Sequence, residues 1–134
     1  MIHGSCACGA IRFKLSAPPS MMGACHCSRC RKLGASTFVF VKRDDFQWIT
    51  GRDRVARLEP EAPFKYVRTY CRDCGSALGE VGTDAESFPL SAHLLDDDPG
   101  VRIRFHEFTA DKPDWHVIGD EAPQFAQHPV KTTA

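Results

Sequence analysis

The residues able to do chemistry in this chain are its cysteines. Seven of them fall into three groups: Cys6-Ala7-Cys8-Gly9, Cys25-His26-Cys27-Ser28-Arg29-Cys30 and Cys71-Arg72-Asp73-Cys74-Gly75. An odd count leaves one thiol over in any disulfide scheme, and the start, Met1-Ile2-His3-Gly4-Ser5-Cys6, lacks the apolar core of a secretion signal. A reducing, cytoplasmic location is therefore expected, and metal ligation is the better use of the thiols. In Cys71-x-x-Cys74-Gly75 the two-residue gap lets both thiolates face one ion, and Gly75 permits the left-handed backbone that follows. A closed tetrahedral site needs two more ligands, for which the distant pair Cys6 and Cys8 is the economical choice. Spacing also allows Cys71 and Cys74 to pair with two of Cys25, Cys27 and Cys30, although Cys6 and Cys8 are then stranded. Under the first pairing Cys25, Cys27 and Cys30 remain as a self-contained three. Four protein ligands make a structural zinc site, and three with an open position make a catalytic one. Two zinc ions are expected, the second depending on solvent or substrate for its last ligand.

Short elements must position these groups. The apolar segments are brief, alternating or rich in β-branched and aromatic residues, and bounded by turn residues, which is the pattern of strands. They are expected at 11–15, 37–42, 46–50, 64–70, 77–81, 88–94, 101–108 and 115–118. Only 28–33, stopped by Gly34, reads as helix. In 101–108, Val101, Ile103 and Phe105 alternate with Arg102, Arg104 and His106, which places His106 on the polar face. The fold class expected is all-β, built from small antiparallel sheets that zinc ties together.

Composition bounds the rest. A length of 134 residues fits one domain, and an apolar share of 43% with 25% charged residues excludes a disordered or fibrous chain. No apolar run approaches the ~18 residues of a membrane span. The net charge is +0, but residues 1–72 hold 13 Lys/Arg against 5 Asp/Glu, and residues 73–134 hold 4 against 12. Such a dipolar chain can draw a small anion to its basic half, while zero net charge gives little support to general nucleic-acid binding. The domain is expected to span 1–126, with 127–134 a tail that has little to bury.

Several motifs occur in order along nearly the whole chain. They are Gly4-Ser5-Cys6-Ala7-Cys8-Gly9, Cys25-His26-Cys27-Ser28-Arg29-Cys30-Arg31-Lys32 with Gly34, Cys71-Arg72-Asp73-Cys74-Gly75, Leu95-Asp96-Asp97 with Pro99, and Lys112-Pro113-Asp114-Trp115 with Asp120 and Pro123-Gln124-Phe125. In these the chain resembles the glutathione-dependent formaldehyde-activating enzyme family, which also includes centromere protein V. The resemblance implies an Mss4-like all-β fold, a structural zinc on Cys6, Cys8, Cys71 and Cys74, and a second zinc on Cys25, Cys27 and Cys30. The family's named activity joins formaldehyde to the thiol of glutathione and is classed with carbon-sulfur lyases. One departure stands out: Ser91-Ala92-His93-Leu94-Leu95 puts a histidine where the family usually has glycine. Facing the three-cysteine metal, His93 would close its open position.

Three thiolates make a soft centre that prefers a further thiolate or water. Glutathione suits it, since a bound thiol's pKa falls from about 8.5 toward neutrality. His93 and His106 are the candidate acids for the developing alkoxide, and Arg29, Arg31 and Lys32 the candidates to meet glutathione's carboxylates. His26 is expected to point away from the metal. His3, His116 and His128 are expected to be structural or exposed, Asp96 to Asp98 to form an exposed turn, and Trp115 and Phe125 to pack into the core or dock the tail. Two other functions compete with the lyase: a noncatalytic zinc-stabilised binding module, and a redox sensor in which the three cysteines release metal on oxidation.

Overall fold

The computed structural model describes residues 1–130. Ten strands alternate with tight turns. In chain order they are β1 (Ile2–Ser5), β2 (Arg12–Leu15), β3 (Met21–Cys25), β4 (Thr37–Lys42), β5 (Phe46–Thr50), β6 (Val55–Leu58), β7 (Arg68–Cys71), β8 (Ala77–Gly79), β9 (Ser87–Ser91) and β10 (Ile103–Glu107). The single α-helix among the described residues is α1 (Ser28–Leu33). The strands make a three-stranded sheet, β1-β2-β5, and a seven-stranded one, β10-β3-β4-β9-β8-β7-β6. Every strand pair is antiparallel except β10 with β3. The main core lies where the sheets meet, with Phe13, Leu15, Val39, Val41, Leu78 and Leu90 all but fully buried.

The all-β class holds, and β4, β5 and α1 match their expected bounds. Three strands were not legible, and glycine explains two of them. Gly4 in β1 pairs with Phe13, whose ring occupies the place of a Cβ. Gly23 in β3 lies under Phe105 of β10, where a Cβ would stand 2.5 Å from the ring tip. A residue that weakens a strand's sequence signal is thus required by an aromatic ring crossing the backbone.

Other boundaries shift. The segment expected as strand from 64 pairs only from Arg68, after an exposed loop carrying Pro60 and Pro63. Residues 92–94 turn into a 3₁₀ helix. Residues 115–118 form no strand: the His116 N–H bonds back to the Pro113 carbonyl and Lys112 Nζ caps the His116 carbonyl at 2.6 Å, which closes a turn instead. Trp115, expected to pack into the core or dock the tail, is 77% exposed and stacks on His116.

His106 is also placed differently from its expected polar face, because it is only 4% exposed. Register slips between Ile103 and His106, and the chain end then runs along β10. The His106 N–H bonds to the Pro123 carbonyl and the Phe125 N–H to the His106 carbonyl, so this segment pairs along what would be the open edge of β10. Further on, the Gln127 carbonyl accepts from the Phe108 N–H and His128 packs edge-on against Phe108. Of the expected tail, 131–134 lie outside the described residues.

Candidate metal centres

The turn between β1 and β2 carries Cys6 and Cys8, and the turn after β7 carries Cys71 and Cys74. Each is folded by its own backbone. Cys6 N–H bonds to the Ile11 carbonyl and Gly9 N–H to that of Cys6; Gly75 N–H bonds to the Cys71 carbonyl and Cys71 N–H to that of Ser76. The turns are joined through Ser76, whose Oγ accepts from the Ala7 N–H at 2.9 Å and lies 3.2 Å from Cys74 Sγ. The four sulfurs lie within 4.8 Å of one another, with Cys6–Cys8 at 3.6 Å and Cys8–Cys71 at 3.9 Å. Four thiolates each 2.3 Å from a zinc ion stand about 3.8 Å apart. This donor set fits that ion closely. Cys71 and Cys74 therefore meet Cys6 and Cys8, and not the middle group.

That middle group is built by β3 and α1. Cys25 ends β3, Cys27 is the N-cap of α1 and Cys30 sits on its buried side. Cys27 Sγ accepts the Cys30 N–H at 3.3 Å, and the turn is anchored by Cys25 N–H to the Ser36 carbonyl and His26 N–H to that of Glu107. The three sulfurs again lie within 4.8 Å of one another, and no other His, Cys, Asp or Glu among the described residues joins them. Both groups could hold a metal ion.

A thiolate is already favoured in each group. Hydrogen bonds from the Cys25 and Cys30 thiols, with backbone N–H groups at the start of α1, hold Cys27 down at about 2, while the same sharing pushes Cys25 up. The Ser76 hydroxyl and N–H bring Cys74 to about 5. Metal ligation needs the deprotonated sulfur, so these contacts favour it.

Behind the three cysteines runs a histidine chain. His26 is buried, and its Nε2 lies 2.8 Å from His106 Nδ1; His106 Nε2 lies 2.9 Å from Asp120 Oδ1. Hydrogen bonding from His106 holds the Asp120 carboxyl below its ordinary range. Because that carboxylate accepts from Nε2, the Nδ1 of a neutral His106 accepts from His26. Burial, with the positive fields of His106, His116 and Lys112, lowers His26. His116 meets the His26 ring edge-on at 5.1 Å. The pairing of His26 with His106 was not foreseen; its one sequence signal is a histidine inside the cysteine motif.

None of the other candidate residues joins either set of sulfurs. His93 is exposed on the 92–94 turn and lines a cavity of about 500 Å³ with Cys6, Gly34, Ser76 and Asp96, on the four-cysteine side. Arg29 donates to the Tyr66 carbonyl and lies over the Phe64 ring at 5.2 Å. Arg31 and Lys32 stand exposed in the last turn of α1. Asp96, Asp97 and Asp98 form an exposed turn, taking hydrogen bonds from Ser5, His3 and Arg102 respectively. Arg68, unremarked in the sequence, brings Nη2 to 3.7 Å from Cys30 Sγ.

The family description "Glutathione-dependent formaldehyde-activating enzyme" matches residues 1–111, which takes in both cysteine groups. The chain belongs to that family. A protein of Halomonas elongata named "Putative glutathione-dependent formaldehyde-activating enzyme" is 29% identical over 147 aligned residues, covering 100% of this chain and 92% of the relative. The crystal structure of a Rhodobacter sphaeroides protein superposes with a TM-score of 0.59 at 22% identity, over 91% of this chain and 98% of the other, and supports the fold. Family membership thus brings a formaldehyde- and glutathione-related function to a chain whose cysteine groups could each hold a metal. No helix among the described residues is long and apolar enough to cross a membrane.

Proposed function

We propose that this member of the formaldehyde-activating family is a zinc-dependent carbon-sulfur lyase that joins formaldehyde, or a similar small electrophile, to glutathione or another small thiol. The observation that supports it is the convergence of Cys25, Cys27 and Cys30 with no fourth donor among the described residues. On this reading Cys6, Cys8, Cys71 and Cys74 hold a structural zinc, and the working domain is residues 1–126. A zinc ion on the three cysteines would supply a Lewis acid that lowers the pKa of an incoming thiol.

The chain's own residues do the rest. Cys27, half-buried, keeps the site in contact with solvent, which takes the thiol's proton. The thiolate sulfur forms a bond to the carbonyl carbon, the C=O π pair moves to oxygen, and the resulting alkoxide takes a proton back from water, so atoms and charge balance. His106, with both ring nitrogens engaged, acts through His26 and holds the Cys25-His26-Cys27 turn in place. On this reading His93, which is not among the donors that converge with the three sulfurs, does not take their fourth position.

The test is calorimetric titration of glutathione into zinc-loaded protein, in buffers of different ionisation enthalpy, alongside Cys27→Ser. Binding with net proton release, lost in Cys27→Ser, is the expected result. No binding at millimolar glutathione, or binding unchanged in Cys27→Ser, would make the noncatalytic zinc module the better account.

A further inference from the structure

Arg68 is a charged residue that the cysteine pattern leaves without a role. It opens β7, three residues before Cys71, yet its guanidinium reaches across to the other cysteine group. Besides the contact of Nη2 with Cys30 Sγ at 3.7 Å, the guanidinium carbon lies 5.3 Å from the centre of the Phe38 ring. Nη1 is 3.6 Å from Glu80 Oε2, too far for a hydrogen bond, and both Nε and Nη1 are buried without an acceptor. Five N–H donors with so few partners leave this cation short of hydrogen bonds, and unmade bonds on a buried charge are costly. Glu80 is an incomplete counter-charge, since burial pushes its carboxyl up against the pull of Arg68.

Arg68 also lines a cleft of about 320 Å³. Leu33 and Ala35, at the end of α1, line it together with Leu58 and Tyr70, from β6 and β7, and Gly75, beside Cys74. The lining thus includes Gly75, next to Cys74 of one cysteine group, and Arg68, which touches Cys30 of the other, and Arg68 is its one charged residue. Apolar walls around an under-compensated cation suit a ligand with an apolar stem and an anionic head. The planar guanidinium favours a carboxylate for that head.

We propose that this cleft takes the carboxylate end of the thiol substrate, and that Arg68 makes the protein select acid-bearing thiols over neutral ones. The inference rests on the reading that the thiol's sulfur comes to Cys25, Cys27 and Cys30, and adds where the rest of the molecule goes. It moves carboxylate recognition away from Arg29, which is occupied by Tyr66 and Phe64, to a residue between the metal groups.

The experiment compares 3-mercaptopropionate with its methyl ester, a probe of similar size without the charge, by calorimetric titration into zinc-loaded protein. The acid is expected to bind about tenfold or more tightly than the ester, the weight of one charge-assisted hydrogen bond. That preference should vanish in Arg68→Met, persist in part in Arg68→Lys and widen in Glu80→Gln, which removes the competing carboxylate. Zinc content and melting temperature of each variant report whether it is folded and loaded. Equal, measurable binding of acid and ester by the wild type overturns the inference and leaves the thiol-binding reading standing. Binding of neither overturns both. A preference that survives in a folded, loaded Arg68→Met, or an Arg68→Met that loses zinc so that acid and ester weaken together, assigns Arg68 to Cys30 alone and overturns the inference as well.

Discussion

Replacing His106 by alanine tests whether the buried histidine chain supports the three-cysteine turn. The His106 side chain is 5% exposed and sits between His26 Nε2 and the Asp120 carboxylate. Its removal orphans the His26 nitrogen inside the protein, which costs about 1 to 3 kcal/mol. The missing ring leaves a cavity beside His26 that costs about 1 to 2 kcal/mol more. Loss of the Asp120 bond adds little, because that carboxylate is 42% exposed and water replaces the imidazole. A total of roughly 3 kcal/mol is a large share of the ~5 to 15 kcal/mol that holds a domain together. For a domain of this size it corresponds to a fall in Tm of about 10 to 15 °C. Thermal unfolding followed by circular dichroism in zinc-replete buffer measures it. Asp120→Asn, which keeps an acceptor oxygen facing His106 Nε2, should change Tm by a few degrees at most. If His106→Ala melts within about 3 °C of the wild type, or Asp120→Asn is as damaging, the chain is not the support described.

Three further outcomes are expected. Gly23→Ala places a methyl against the Phe105 ring, so β10 must lift from β3 at a cost of about 1 to 3 kcal/mol; a variant as stable as the wild type in urea would show that Phe105 does not pin the strand. His26 is held below its ordinary value by burial, so the unfolded chain binds more protons than the folded one below pH ~6.5 and stability should fall as pH drops through that range. Melts from pH 7.5 to 5.5 should show a shallower loss in His26→Gln than in the wild type, and equal slopes would contradict the assignment. Under graded chelator at equilibrium, the ion on three protein sulfurs should leave before the ion on four; parallel loss of both would argue against two distinct sites.

What could be read from the sequence was whatever depended on local pattern. The helix at 28–33 is announced by the glycine that follows it, and β4 and β5 by segments rich in β-branched and aromatic residues. The division of the cysteines into four and three followed from spacing and economy, and the sulfurs converge in those two sets. What could not be read depended on partners distant in sequence. Gly4 and Gly23 weaken their strands locally and make sense only beneath Phe13 and Phe105. The period-two pattern puts His106 on a polar face, and its side chain is instead enclosed with His26 and Asp120, while residues 123–125 pair along β10; neither contact leaves a local trace. Trp115 is expected to pack into the core or dock the tail, whereas the turn around Pro113 leaves it exposed. Arg68 resembles any surface arginine until β7 and α1 are brought together and its nitrogens are found without acceptors.

The central claim, two zinc ions on two unlike cysteine sets, is tested most directly by zinc-edge X-ray absorption on the purified protein with its zinc content measured on the same sample. Two zinc ions per chain are predicted, with an average of about 3.5 sulfurs per zinc at about 2.3 Å and the balance of one lighter ligand shared between them. One zinc per chain with four sulfurs, or a first shell dominated by nitrogen and oxygen, would contradict the three-cysteine centre and with it the thiol chemistry proposed there.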